Sequence, residues 1–165
     1  MAASDHVLPP PFFKWMSKLQ DKAKSCSFEV VSQLFQEEEG KSVQEAFSWF
    51  DPNPVASASI AQVHKARLHD GTYVAVKIQK PNIRRQFGYD MAMHHFILWV
   101  LEKAFDLPLL QFAEPIQRNL QKEVDFTIEA DNTKLAEEGF RNLKRDDVCV
   151  PKIYDEFTKK RVLVT

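Results

Sequence analysis

The alternation of apolar and polar residues in the middle of the chain predicts two strands joined by a tight turn. Residues 60–68 and 73–79 read as strands, the second with β-branched side chains at every second position from 74 to 78, and residues 69–72 between them read His-Asp-Gly-Thr, a turn sequence. Together they predict an antiparallel hairpin. Period-two alternation then places Ala75 and Lys77 on one face of the second strand, toward a cleft. The other face, toward a core, carries Val74, Val76 and Ile78.

Helical spacing dominates the segment before this hairpin. Residues 9–11 are prolines that can open a helix, and its apolar stripe consists of Phe12, Trp15, Met16 and Leu19. A second helix is predicted over residues 28–39, ended by Gly40. Residues 42–45, Ser-Val-Gln-Glu, form a capping-box pattern that begins a third, short helix. The aromatic side chains of these helices favour packing against the sheet, with a lipid or partner surface as the alternative.

The pattern after the hairpin predicts two long helices and a pair of strands. The first helix begins at residues 82–85 and contains the apolar run 96–101, which is either a buried helix or a docking face. That run is far shorter than the roughly twenty residues that a membrane span needs. Pro115 opens the second helix, whose apolar positions are Leu120, Val124, Ile128 and Leu135. Residues 148–154 and 161–165 read as strands that complete a five-stranded sheet.

Composition limits the classes of protein that the chain can represent. Its 165 residues are 44% hydrophobic and 12% aromatic, which fits one folded domain with a core. A net charge of −1 gives no basis for nucleic-acid binding. Cys26 and Cys149 stand apart, without metal-ligand spacing, and indicate free thiols; no metal site is expected, and the adjacent His94 and His95 do not change this. No targeting or transmembrane segment is visible in the sequence.

Candidate chemistry begins in the loop before the hairpin. Ala56, Ala58 and Ala61 take the spacing of the glycines in a G-x-G-x-x-G nucleotide loop, and Val63 takes that of its trailing valine. Residues 74–77, Val-Ala-Val-Lys, match the strand that carries the phosphate-contacting lysine of kinases. A backbone close to phosphates requires small side chains, and a flexible cation must reach the same phosphates from a rigid strand. The two features in order therefore indicate a nucleotide site.

Acidic residues on the helix opened by Pro115 are the candidates for pairing with this lysine. A kinase-like arrangement needs one acid that fixes the ammonium group near the phosphates. We expect Glu129 to face Lys77, with Asp125 one turn earlier on nearly the same face and Glu123 on the opposite side. The alternative is a set of solvated acids on an exposed helix.

These motifs together resemble the UbiB family of atypical kinases, also called aarF-domain-containing kinases. The resemblance rests on residues 54–64, residues 74–81, and Glu123, Asp125 and Glu129. The family's A-A-A-S loop stands here as Ala-Ser-Ala-Ser. The resemblance implies an α+β fold, a protein-kinase-like N-terminal lobe whose five-stranded antiparallel sheet carries an αC-like helix and additional family-specific helices. It also implies nucleotide-binding residues, which are Ala56, Ser57, Ala58, Ser59, Ala61, Val63, Ala75, Lys77 and Glu129.

Further expectations follow from the same resemblance. Glu123 and Asp125 form the family's E-x-D motif, and Glu123 is expected to bond an upstream K-x-G-Q helix that this chain lacks. The full-length parent would bind ATP or ADP with magnesium and act in coenzyme Q or mitochondrial lipid homeostasis, with a mitochondrial location. The chain would comprise a helical N-terminal extension, residues 1–50, and a kinase-like N-lobe, residues 51–165. The C-lobe would be absent from the chain, and it is the expected partner of the N-lobe.

The reaction itself stays open in the sequence. No histidine-aspartate catalytic loop and no Asp-Phe-Gly metal motif occurs in it, so the chain alone is not expected to transfer a phosphoryl group. One alternative is an inert pseudokinase scaffold that binds a lipid or protein partner. Another is an aminoglycoside-phosphotransferase-like enzyme, which shares the strand lysine but not the alanine loop followed by the acidic motif.

Overall fold

A computed structural model describes residues 24–145 and 147–165, apart from the side chain of Arg84, and combines helices with a five-stranded antiparallel sheet. The predicted first helix, residues 9–19, lies outside the described residues. The α-helices are α1 (Phe28–Glu39), α2 (Val43–Ala46), α3 (Ile83–Phe105), α4 (Ala113–Glu123) and α5 (Phe126–Asn142). The strands are β1 (Trp49–Phe50), β2 (Ala56–Ser57), β3 (Ala61–Arg67), β4 (Tyr73–Gln79) and β5 (Val162–Val164). Short 3₁₀ helices span Leu110–Phe112 and Asp155–Phe157.

The central hairpin of β3 and β4 confirms the sequence prediction. The strands pair antiparallel, with Val63 opposite Lys77. Gly71 in the turn adopts a φ of 92°, which favours glycine, and the backbone N–H of Thr72 donates to Asp70 Oδ1 at 2.8 Å. The alternation is also as predicted, because one face of β4 is buried, with Val74, Val76 and Ile78 at most 5% exposed.

Helices α1 and α2 share their core with the sheet. Phe35 on α1 is fully buried and lies 5.5 Å from the ring of Phe47, measured between centroids. The same cluster contains sheet residues, among them Val76, Ile78, Val162 and Val164. The end of α1 and the start of α2 are as predicted from the sequence. Gly40 ends α1 with a left-handed φ of 71°, and Ser42 and Glu45 form the capping box of α2. The domain boundary at residue 50 stays a prediction, and residues on both sides of it contribute to one core.

The predicted strand over residues 148–154 is wrong. Within residues 148–154, only Tyr154 makes a backbone hydrogen bond to the sheet, donating its N–H to Val164 O at 2.9 Å. Pro151 lacks a backbone N–H and interrupts any ladder there. The sheet still has five strands, in the order β1-β3-β4-β5, because the short β2 also pairs with β3.

The single long helix predicted from Pro115 is also wrong, because it divides at Val124 and Asp125. Asp125 is extended, with φ −126° and ψ 102°, and its Oδ1 accepts hydrogen bonds from Thr127 N at 3.1 Å and Thr127 Oγ1 at 2.6 Å. The next residue, Phe126, is fully buried and donates its N–H to Lys160 O at 3.0 Å. Asp125 therefore acts as the N-cap that begins α5 in a new direction.

Helix α3 carries the apolar run 96–101 on an exposed surface. Phe96, Ile97, Trp99 and Val100 are 41–57% exposed. The interpretation of this run as a buried helix is therefore wrong, and an exposed apolar face remains. No helix within the described ranges combines the length and apolarity needed to cross a bilayer.

We predict that Phe35→Ala destabilises the chain by about 3–5 kcal/mol, because it leaves a cavity in the core shared by α1 and the sheet. Urea unfolding followed by circular dichroism measures this change. Phe96→Ala on α3 is the control, because Phe96 is 57% exposed, and it should change stability by less than about 0.5 kcal/mol. A small effect of Phe35→Ala would contradict the shared core.

We predict that Asp125→Ala costs about 0.5–2 kcal/mol, because the first N–H groups of α5 lose their acceptor. Asp125→Asn should keep most of the stability, since asparagine is an equally good N-cap residue. Thermal unfolding of the two variants beside the unchanged chain tests this. Equal losses in both variants would indicate that the negative charge, and not the cap, is the stabilising element.

Candidate functional site

The alanine loop, residues 55–59, is held against strand β3. Val55 N donates to Val63 O and Ala58 N donates to Ala61 O, both at 2.8 Å. β2 within the loop pairs Ala56 with Val63. Among the described non-glycine residues, positive φ occurs only at Asp106 and Lys144, so the loop is built without glycine-like backbone geometry. Its side chains are no larger than those of serine and alanine between Ala56 and Ser59, which leaves the backbone open to close approach.

Lys77 and Glu129 form an ion pair, as predicted. Lys77 Nζ lies 2.8 Å from Oε1 and 2.6 Å from Oε2 of Glu129. The two side chains are 28% and 44% exposed, so solvent reaches the pair and screens it. The ammonium group also lies 4.5 Å from the centroid of the Phe126 ring, a cation–π distance. The lysine head is therefore fixed by a carboxylate and an aromatic face.

The sheet and α5 position this pair from two sides. Lys77 lies on β4 between Val63 of β3 and Leu163 of β5. Glu129 lies in the first turn of α5, where the positive end of the helix dipole favours a carboxylate. Four residues join α5 to the sheet in a small buried cluster: Ala61, Phe126, Ala130 and Leu163. Burial of that cluster fixes the direction in which Glu129 points.

An open cavity of about 860 Å³ lies beside the pair. Lys77, Glu129, Glu123 and Lys122 all line it, together with Asn119, Asn132 and Thr133. The two lysines and the amide and hydroxyl groups can bond a ligand with anionic oxygens, while Glu129 engages one of the lysines and Glu123 adds a second carboxylate to the lining. Phosphate groups fit this donor set. No group of three His, Cys, Asp or Glu side chains able to hold a metal ion occurs in residues 24–145 and 147–165.

The division between α4 and α5 changes the placement of the acidic motif. Glu123 is the last residue of α4 and lines the same cavity as Lys77, whereas Asp125 caps α5 through Thr127. The prediction that these acids occupy opposite faces of one continuous helix is therefore wrong. The contact expected between Glu123 and an upstream helix stays a prediction.

The remaining predicted residues lie around the hairpin. Ala61 is 3% exposed and packs in the cluster with Phe126, while Val63 is partly buried opposite Lys77. Ala75 lies two residues before Lys77 and exchanges backbone hydrogen bonds with Thr165 at 2.7 and 3.0 Å. Ser57 Oγ is buried without a hydrogen-bond partner in the described part of the chain. Nucleotide contact by any of these residues stays a prediction.

Sequence reasoning missed Lys80, Gln62 and Lys122. Lys80 Nζ donates to Ala58 O at 2.6 Å and so contacts the alanine loop directly. Gln62 is 1% exposed and bonds the backbone of Cys26. Neither contact follows a helical or strand period, because each joins residues more than 20 positions apart. Lys122 lines the cavity but belongs to no motif, and its position next to Glu123 of the E-x-D motif was the one signal that pointed to it.

Comparison with protein families and curated proteins gives a consistent result. The family model of the ABC1 atypical kinase-like domain matches residues 18–165. An ABC1 family protein of Schizosaccharomyces pombe is 38% identical over 168 residues, which cover 100% of this chain and 31% of that protein. AarF domain-containing protein kinase 1 of Gallus gallus is 33% identical over 165 residues, covering 99% of this chain and 31% of that protein. The chain thus spans about a third of the length of these relatives.

A solved structure also resembles this fold. The complex of Rv3197 with erythromycin from Mycobacterium tuberculosis superimposes with a TM-score of 0.71 and 27% sequence identity, covering 95% of this chain and 40% of that one. The likeness agrees with a kinase-like N-terminal lobe built from helices and an antiparallel sheet. With the domain match over residues 18–165, it leads to one conclusion: the chain belongs to the ABC1, or AarF-domain, family of atypical kinases.

Proposed function

We propose that this chain is the nucleotide-binding N-lobe of an atypical kinase or ATPase and that it binds ATP or ADP. The observation that carries the proposal is the Lys77–Glu129 ion pair at the wall of a large open cavity, with the lysine on the strand next to the one that pairs with the alanine loop. A lysine held by a carboxylate is the arrangement that kinase-like folds use to contact the α- and β-phosphates.

Each part has a physical role in binding. Lys77 supplies a positive charge to the phosphates, and Glu129 together with the Phe126 ring keeps its head in place. The alanine loop covers the phosphates with a backbone that small side chains leave accessible. Ala75 lies on the same face of β4, roughly 7 Å before Lys77, and its methyl group leaves room for a flat base.

Phosphoryl transfer would require groups from a second lobe. That lobe would supply the aspartates that hold magnesium and position the acceptor, because residues 24–145 and 147–165 contain no metal-binding cluster. By itself, this lobe would bind nucleotide without transferring phosphate. The family resemblance supports a parent that acts in coenzyme Q or mitochondrial lipid homeostasis and is located in mitochondria.

A scaffold function is the second candidate. The exposed apolar face of α3 supports it, because Phe96, Ile97, Trp99 and Val100 offer a surface on which a lipid or protein partner could dock. In that case the cleft would be a remnant. The intact ion pair favours the nucleotide proposal, since a remnant cleft has no need to keep both charges.

We predict that Lys77→Met and Glu129→Gln each weaken nucleotide binding by the parent polypeptide by at least about tenfold, because a charge-assisted hydrogen bond to phosphate is lost or misdirected. Calorimetric titration with ATP and with ADP, each with magnesium, measures the affinities. The stability of the variants should change by less than about 1 kcal/mol, since the pair is partly exposed.

Lys134→Met is the matched control, because Lys134 lies on α5 and pairs with a carboxylate, Asp155, and neither residue lines the cavity. It should leave both affinities unchanged. Equal affinities in Lys77→Met, Lys134→Met and the unchanged protein would reject the nucleotide site and favour the scaffold.

A further inference from the structure

Lys80 joins the first described residues to the alanine loop. Its Nζ donates to Lys24 O at 3.0 Å and to Ala58 O at 2.6 Å. Both acceptors are backbone carbonyl oxygens, so the contact needs no particular side chain at position 24 or 58. One cation thereby connects the segment before α1, residues 24–26, with the loop.

Gln62 makes a second connection to the same segment. Its Oε1 accepts from Cys26 N at 2.7 Å, and its Nε2 donates to Cys26 O at 3.4 Å. Gln62 is 1% exposed and pairs on β3 with Ser57 of the alanine loop. The segment 24–26 is therefore bonded to the loop through Lys80 and to the strand behind the loop through Gln62.

His64 fixes the orientation of the Gln62 amide. The ring of His64 is fully buried, with Nδ1 2.8 Å from Asp51 O and Nε2 2.9 Å from Gln62 Nε2. A carbonyl oxygen only accepts, so Nδ1 carries the proton and Nε2 accepts from the amide. This leaves Gln62 Oε1 for Cys26 N. Phe50 stacks on the imidazole, with the centroids 5.0 Å apart.

We propose that Lys80, Gln62 and His64 are positioning residues that couple segment 24–26 to the alanine loop, so that the place of this segment sets the pose of the loop. The coupling concerns the folded chain alone and stands whether or not a nucleotide binds. Its consequence for ligand affinity rests on the proposed function. Through this contact, whatever moves the chain before α1 would also move the loop.

The coupling requires a neutral imidazole. A proton on Nε2 would need an acceptor, and Gln62 could provide one only by turning its NH₂ toward Cys26 N, which places donor against donor. Burial lowers the pKa of His64, opposed by the Asp51 carbonyl and carboxylate. Segment 24–26 itself carries two titratable side chains, Lys24 and Cys26. The unfolded chain binds this proton more readily than the folded chain does. The contribution of neutral His64 to folding stability is therefore complete above about pH 6.5 and falls as the pH drops below that value.

The test reads the coupling without a nucleotide. Cys26 is half-buried on the segment and Cys149 is exposed, so the ratio of their alkylation rates in one chain reports release of the segment. Hydrogen exchange of peptides covering residues 55–61 reports the loop. Lys80→Met should raise both the Cys26 to Cys149 ratio and the loop exchange rate about tenfold, because two carbonyl bonds are lost. Lys80→Arg, which keeps a cation, should restore most of both, and Lys134→Met should change neither.

The pH arm separates positioning from general stability. In the unchanged chain the alkylation ratio should rise between pH 7.5 and 5.5, and in His64→Gln this dependence should disappear. An unchanged ratio in Lys80→Met, or release of the segment without faster exchange in residues 55–61, would overturn the coupling. If both readouts respond while no variant or unchanged protein binds ATP, the coupling stands and the proposed function fails.

Discussion

The register of β3 against β4 is the constraint on which the candidate site depends. It places Val63 opposite Lys77, so the strand that follows the alanine loop lies beside the strand that carries the lysine. A slip by one residue would turn Lys77 toward the core and Val76 toward solvent. Burial of Val76 and Ile78, at 0% and 1% exposure, opposes that slip. The hydrophobic core thus aligns the loop and the lysine by fixing the register of the strands between them.

The acid that meets this lysine is positioned by a different part of the chain. Phe126 enters the small core with Ala61 and Leu163, and its N–H bonds Lys160 O near the end of the chain. This anchor and the Asp125 cap break what would otherwise be one amphipathic helix. Because Asp125 is extended, the helical rotation of about 100° per residue does not continue from α4 into α5, and Glu129 takes its direction from the first turn of α5. The break is therefore the local feature that allows the ion pair.

Sequence reasoning succeeded where structure follows from local signals and failed where it depends on distant contacts. The hairpin follows from alternation and a glycine turn, and α2 follows from the Ser42–Glu45 capping box. The pair Lys77–Glu129 was predictable because its members belong to recognisable motifs. The break at Asp125 was not, since helical periodicity continued through it and the competing contact comes from Lys160. The contacts of Lys80 were invisible for the same reason, as Lys24 and Ala58 are brought to it only by folding.

An alanine loop places a different demand on its surroundings than a glycine loop does. Alanine restricts the backbone more than glycine, so less entropy is lost when the loop is ordered, but fewer poses are available to it. The pose must then be chosen by bonds from outside the loop. Here those hydrogen bonds are made with the carbonyl oxygens of Val63 and Ala61 on β3 and with the ammonium group of Lys80. The bond from Lys80 goes to the backbone carbonyl of Ala58, so it does not depend on the side chains of the loop. Lys80 also donates to Lys24 O, so a displacement of the segment before α1 would be passed to the loop. Because alanine restricts the backbone of the loop, the loop would move as a unit toward the lysine cleft and would not change its own conformation instead.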